Sequence, residues 1–294
     1  LNIARNNLPA DYYQKYLTNL ASVDAAKVQN AAKLFLNTNQ MHIVIVGNAK
    51  QITKGLEKYG PLKYFDIEGN EVAAPTEVKA DASLTPTALM EKAIAAIGTK
   101  EALTSVKDVQ LKGTANLMGQ SLEMKQTIVM PGNSVTTMSM GGMAMMRQAV
   151  VDGKYSFAQQ GQEAPITDDI KEGLDESAFL APEQLYLAKG YGLKIVGAEK
   201  VDGKDAIDVE VTTPSKKVSH RFYDATTFLL VKTSKSEEIP GRGTATQQQF
   251  FTGYKTVNGV QISSEQLIDM GQMKINIKYT DIKVNQGLKS SDLK

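Results

Sequence analysis

The side chains of this sequence best suited to a chemical task are its methionines. Met118, Met124, Met130, Met138, Met140, Met143, Met145 and Met146 crowd into one stretch of a chain that holds 12 Met in all. A thioether side chain is unbranched and polarizable, so it adapts to apolar shapes of no fixed outline. Lined along a curved sheet, these residues would form a soft surface suited to acyl chains. They would equally fill an irregular gap between a sheet and its helices, and both readings stay open. The run Gly141–Met146 adds a third use, as a mobile flap or a partner-binding edge.

Other chemistry is sparse. His220 stands in alternation between Val218 and Phe222, a spacing that turns it inward as a ligand, a pH-sensitive group or a hydrogen-bonded core residue. His42 lies in an apolar run and reads as core. Asp168-Asp169, Asp175-Glu176 and Glu237-Glu238 are paired carboxylates, but their polar surroundings read as solvated loops rather than an acid–base site. Gly190-Tyr191-Gly192 and Gly241-Arg242-Gly243 lack the strand–loop–helix setting of a phosphate cradle.

Composition narrows the classes further. The 294 residues include no Cys, which excludes a disulfide scaffold, a thiolate metal site and a thiol nucleophile. Thirty-three basic residues against 32 acidic ones give a net charge of +1, with no electrostatic pull toward nucleic acid. No apolar run approaches the ~18 residues of a membrane span. The start at Leu1, without an initiator Met or a signal-peptide pattern, is expected of a piece of a longer protein.

Two textures position these residues. In the first, Pro9 precedes a helix carrying Tyr12, Tyr13, Tyr16, Leu17 and Leu20 on one face. Asp24 caps a second helix, with Val28, Ala31, Ala32, Phe35 and Leu36 in helical register. Met41–Val46 is apolar on both faces and predicts a buried strand. Asn48 caps a helix that Gly60-Pro61 stops, and a short strand follows around Lys63–Ile67. So few elements bury only a marginal core. Three pieces, Leu8-Pro9-Ala10-Asp11-Tyr12-Tyr13, the Val23–Ala32 helix and Ile43-Val44-Ile45-Val46-Gly47, come in an order that resembles the end of a non-catalytic repeat of insulinase-like (pitrilysin-type) zinc peptidases. The resemblance covers residues 8–69. It implies peptidase repeats of the parent chain as partners, with any zinc held outside these residues, since neither His42 nor His220 has the family's His-x-x-Glu-His context.

Val72–Leu84 then reads as a linker. Beyond it, Thr85 and Pro86 open a helix bearing Leu89, Met90, Ala93, Ile94 and Ile97, which Gly98 closes. From Val109 the period falls to two, and about eleven or twelve strands follow, turning at Asp152-Gly153, Asp202-Gly203 and Asn258-Gly259. A helical pair interrupts them between Thr167 and Leu187. The expected class is α+β: a small helical segment with one or two strands, then a large curved antiparallel sheet, an open β-barrel, enclosing helices. The opening Ala93–Gly98 helix, Leu111-Lys112-Gly113-Thr114, the Tyr191–Val211 hairpin and Val218–Val231 resemble the lipoprotein-sorting fold (LolA/LolB-like).

That resemblance implies an apolar cavity. Its candidate lining is Leu122, Met124, Ile128, Met130, Met138, Met140, Tyr155, Phe157, Val218, His220 and Phe222. The expected organisation is 1–70 as a repeat remnant, 71–85 as linker and 86–294 as the open barrel. The expected function is a non-catalytic envelope module, periplasmic or outer-membrane associated. It needs no cofactor of its own and binds a lipid or lipidated peptide. An accessory substrate-recognition or scaffolding part of an active zinc metallopeptidase is the alternative.

Overall fold

The computed structural model describes residues 2–36, 41–47, 49–66, 69–72, 74, 83–117, 119–239, 243–271 and 273–294. Asn48, Met118, Gly241, Arg242 and most of the expected linker lie outside the described residues. The chain divides into two compact units, Leu1–Ala74 and Pro75–Lys294.

In the first unit, α1 spans Asn2–Arg5, α2 Tyr12–Ala21, α3 Ala25–Phe35 and α4 Ala49–Leu56. Asp24 caps α3 by accepting the Lys27 N–H at 2.8 Å. Strands β1 (Tyr64–Phe65) and β2 (Glu71–Val72) form a two-stranded hairpin. The predicted strand at Met41–Val46 is not formed, and Val46 is 97% exposed. A strand apolar on both faces needs hydrogen-bonded neighbours and two covering layers. The unit provides neither among its described residues, and none of those residues is buried.

The second unit opens with α5 (Pro86–Ile97), whose cap Thr85 accepts the Ala88 N–H at 3.2 Å, and α6 (Lys100–Ser105). Then come β3 (Asp108–Leu117), β4 (Gln120–Val129), β5 (Asn133–Met140), β6 (Met143–Val151), β7 (Lys154–Gln159) and the two-residue β8 (Gln162–Glu163). Helices α7 (Asp168–Ser177) and α8 (Glu183–Ala188) follow. The remaining strands are β9 (Gly192–Val201), β10 (Lys204–Thr212), β11 (Val218–Asp224), β12 (Leu230–Ile239), β13 (Gly243–Val257), β14 (Val260–Asp269) and β15 (Lys274–Val284). Asp and Asn residues of the two-residue turns, such as Asp152 at φ 51 and Asn258 at φ 49, adopt the left-handed backbone that tight hairpins demand.

The thirteen strands make one antiparallel sheet in the order β8-β7-β6-β5-β4-β3-β15-β14-β13-β12-β11-β10-β9. It is open: β8 and β9 are its two edges, and α7 and α8 carry the chain from one to the other. The two wings meet where β3 pairs with β15, from Val109↔Val284 to Leu117↔Ile275. Gly113 is required at this seam, because a Cβ there would lie 2.0 Å from the Lys278 carbonyl oxygen. One face of the seam buries Val109, Leu111, Ala115, Ile277 and Tyr279. Helices α5 and α8 bury Leu89, Met90, Leu185 and Tyr186 against Val209, Val211 and Tyr223.

Candidate functional site

Helix α7 lies where the curled wings face each other. Asp169, Glu172 and Glu176 recur at i, i+3 and i+7, so all three sit on one helix face. Each reaches the sheet or its turns. Asp169 accepts from the Lys235 ammonium at 2.6 Å. Glu172 accepts from the Ser215 N–H at 2.9 Å and its hydroxyl at 2.7 Å. Glu176 pairs with the Arg221 guanidinium of β11. Asp175 accepts from the Tyr155 hydroxyl of β7 at 2.8 Å. Burial, and then that carboxylate, push the Tyr155 phenol up to about 12.

Between α7 and the sheet lies a cavity of about 430 Å³. Gln148 and Phe157 line it from β6 and β7. Ser219, Arg221, Thr233, Lys235, Gln247 and Gln249 line it from β11, β12 and β13 of the other wing. Ile170 and Leu174 add apolar surface from α7. The lining is mainly polar. Its charges largely pair off as Asp169–Lys235 and Glu176–Arg221.

Behind the cavity, Arg221 lies 5.5 Å over the Tyr186 ring. Burial alone would lower the Arg221 pKa, but the surrounding groups, the Glu176 carboxylate foremost, together outweigh it and hold the guanidinium charged. Glu183, buried at the start of α8, accepts from the Tyr223 hydroxyl at 2.8 Å, and desolvation raises its pKa. These groups fix α7 and α8 to β11 by hydrogen bonds whose loss would strand buried charge.

The residues singled out by sequence fall in four places. Phe157 and Val218 line the cavity. Leu122 and Met124 are buried in the apolar cluster at the seam, and Met138 and Met140 pack on it, partly exposed. Ile128 is buried on β4, Met130 is half-buried beside Pro131, and Tyr155 is tied to α7. His220 and Phe222 lie on the opposite face. Arg221 and Tyr223 take the helix side of β11, so His220 turns away from it and meets Asp208 at 2.8 Å. The inward orientation expected of His220 is therefore corrected. Alternation fixes which residues share a face, not which face is inner. Here the outer face has its own apolar cluster of Val201, Ala206, Phe222, Val231 and Phe250.

The acidic face of α7 was missed, because Asp168-Asp169 and Asp175-Glu176 read as solvated pairs. The usable signal was the i, i+3, i+7 spacing of Asp169, Glu172 and Glu176, matched by Arg221 and Lys235 inside strand patterns. Among the described residues, no group of three or more His, Asp or Glu side chains is placed to hold a metal ion. No helix among them is long and apolar enough to cross a membrane.

This architecture is shared with solved structures of low sequence identity. A DUF1329 family protein from Desulfovibrio piger superposes with a TM-score of 0.51 at 13% identity, over 72% of this chain and 98% of that one. A domain assigned to outer-membrane lipoprotein sorting, from Vibrio parahaemolyticus, gives 0.51 at 13% identity over 69% and 95%. A LolA superfamily protein from Nitrosomonas europaea covers 72% and 98% at 12% identity, with a TM-score of 0.46. No family model and no curated protein matches the chain. At these identities the first two likenesses establish a shared fold. The comparisons lend no support to the peptidase-repeat resemblance of residues 8–69.

Proposed function

We propose that the sheet domain is a non-catalytic binding module of the cell envelope for an amphiphile, a lipid or a lipidated peptide. The observation that carries this reading is the cavity of about 430 Å³ held between α7 and both wings of an unclosed sheet. Its volume suits a ligand of modest size. Its polar lining suits a headgroup or peptide portion better than an acyl chain alone. Along β6, Gln148 of the cavity is followed two residues on, toward the hairpin tip, by half-buried Met146. Met138 and Met140 lie beside it on β5, so an apolar tail has an adaptable surface next to the polar pocket. Each methylene buried there contributes about 0.8 kcal/mol, and twelve give roughly 10 kcal/mol before ordering costs. The sorting assignment of the Vibrio neighbour agrees with this reading and with an envelope location.

The proposal extends to the whole chain as 1–70 the closing segment of a silent peptidase-type repeat, 71–85 a linker and 86–294 the binding domain. The lack of any buried residue among the described part of the first unit supports a segment whose apolar surface belongs to a larger domain.

Organic extraction and mass spectrometry of the purified chain test the binding reading, together with titration of a fluorescent fatty acid and a fluorescent lysophospholipid. A co-purified amphiphile or saturable uptake is expected. An empty protein that takes up neither probe would overturn it.

A further inference from the structure

The methionines of β4, β5 and β6 are arranged more specifically than packing requires. Met124 pairs with Met138 across β4–β5, and Met138 pairs with Met146 across β5–β6. Directly opposed residues share a face, with Cβ atoms about 5 Å apart. Three thioethers therefore stand side by side in one cross-strand row. One step nearer the hairpin tip, Met140 pairs with Met143. A bulge between them adds Met145, which packs on the same apolar cluster as Met138 and Met140. Bulges re-aim a side chain in this way.

The cluster is open to solvent at one end. Met138, Met140, Met145 and Met146 are half-buried, and Met143 at the tip is 70% exposed. Packing alone would be met by Leu, whose rotamers are better defined. What Leu lacks is the sulfur. A thioether is a soft, neutral donor that binds without losing a proton, and such ligands select copper(I) over harder ions. The next row on the same face is Gln126, Thr136 and Gln148, which carries no charge to attract magnesium or calcium.

We propose that the β4–β6 methionine row is a binding site for a soft monovalent d10 cation, copper(I) in the cell. Met124, Met138 and Met146 are its sulfur ligands, and Met143 and Met145 flank its solvent side. The row shares Met138 and Met146 with the surface proposed for the apolar tail, but it is tested by metal uptake alone, so its failure and that of the amphiphile reading are read separately.

The test uses the full chain and two probes: silver(I), which is redox-inert, titrated calorimetrically in chloride-free buffer, and copper(I) competed against bicinchoninate. One ion per chain is expected, with a sulfur-only first shell by X-ray absorption and no uptake of zinc. In M138L/M146L, the affinity should fall by at least about tenfold, the usual scale for disturbing a metal site. Leucine keeps the apolar bulk, so a native circular dichroism spectrum and melting profile in that variant show that the sulfurs, not the fold, have been lost. If the double variant does not fold by circular dichroism, M146L alone carries the comparison. Absence of silver and copper uptake by the native chain, or uptake unchanged in the Leu variants, would overturn the proposal.

Discussion

The Asp108 carboxylate accepts a hydrogen bond from the Gly287 N–H at 2.9 Å, although the two residues are 179 positions apart. It also accepts from Gln286 at 2.8 Å and Leu288 at 3.1 Å, and it is fully buried. Asp108 thus fastens the segment after the last strand to the start of the first strand of the sheet. Asp108→Ala leaves three N–H groups without this acceptor and should cost about 3 kcal/mol. Asp108→Asn keeps one acceptor oxygen and should fall between. Urea denaturation of the three proteins measures the order; an Ala variant as stable as the native chain would refute it.

Arg221 and Glu176 make a second test. Both are largely buried, with side chains 13% and 19% exposed. Arg221→Met alone strands the Glu176 carboxylate against the sheet and should destabilise by about 3 kcal/mol. Adding Glu176→Gln should recover much of that loss. A double-mutant cycle reads the coupling, and additive effects would show that the pair does not hold α7.

His220 sets a pH dependence whose sign follows from its partner. The hydrogen bond to Asp208 raises its pKa above the ordinary 6.5, against the opposing effect of burial. Its contribution to stability is therefore complete below 6.5 and fades as pH rises through the raised value. His220→Gln should show a flatter Tm profile than the native chain between about pH 6 and about pH 8. Parallel profiles would count against the contact.

Gly113 tests the join of the two wings. Its missing Cβ leaves room for the Lys278 carbonyl, so Gly113→Ala must push β15 from β3, at a cost of about 3 kcal/mol. Gly119 has φ +83 but open space around it. Gly119→Ala should cost only about 1 kcal/mol, from backbone strain alone. Thermal melts of both variants decide whether the clash or the lost flexibility matters.

Much of the sheet was legible because its rules are local. Leu122, Met124 and Ile128 share a face by two-residue spacing, and Asp152-Gly153 and Asn258-Gly259 bend where such pairs favour a left-handed backbone. Thr85, Thr99 and Thr167 cap helices because each offers an oxygen three residues before a free N–H. The site was less legible. Asp169 and Glu176 look like ordinary solvated acids until Lys235 and Arg221, far along the chain, are folded beneath them. Met41–Val46 failed for the complementary reason. Its pattern describes what it needs on either side, and the first unit does not supply it among the described residues.

The β3–β15 seam has a consequence for how the chain is made. A ribosome delivers β3 early and β15 last of the thirteen strands. Through most of synthesis, Val109–Leu117 is one free border of a growing half-sheet, with Ala115 and Leu111 uncovered on one side. The domain is therefore expected to depend on escort during its emergence, and to gain its protease resistance in a single late step when Lys274–Val284 arrives. Nascent chains stalled before Lys274 should be cut rapidly by protease, whereas chains stalled well past Leu288 should survive; equal resistance in both would show that the half-sheet stands without its closing strand.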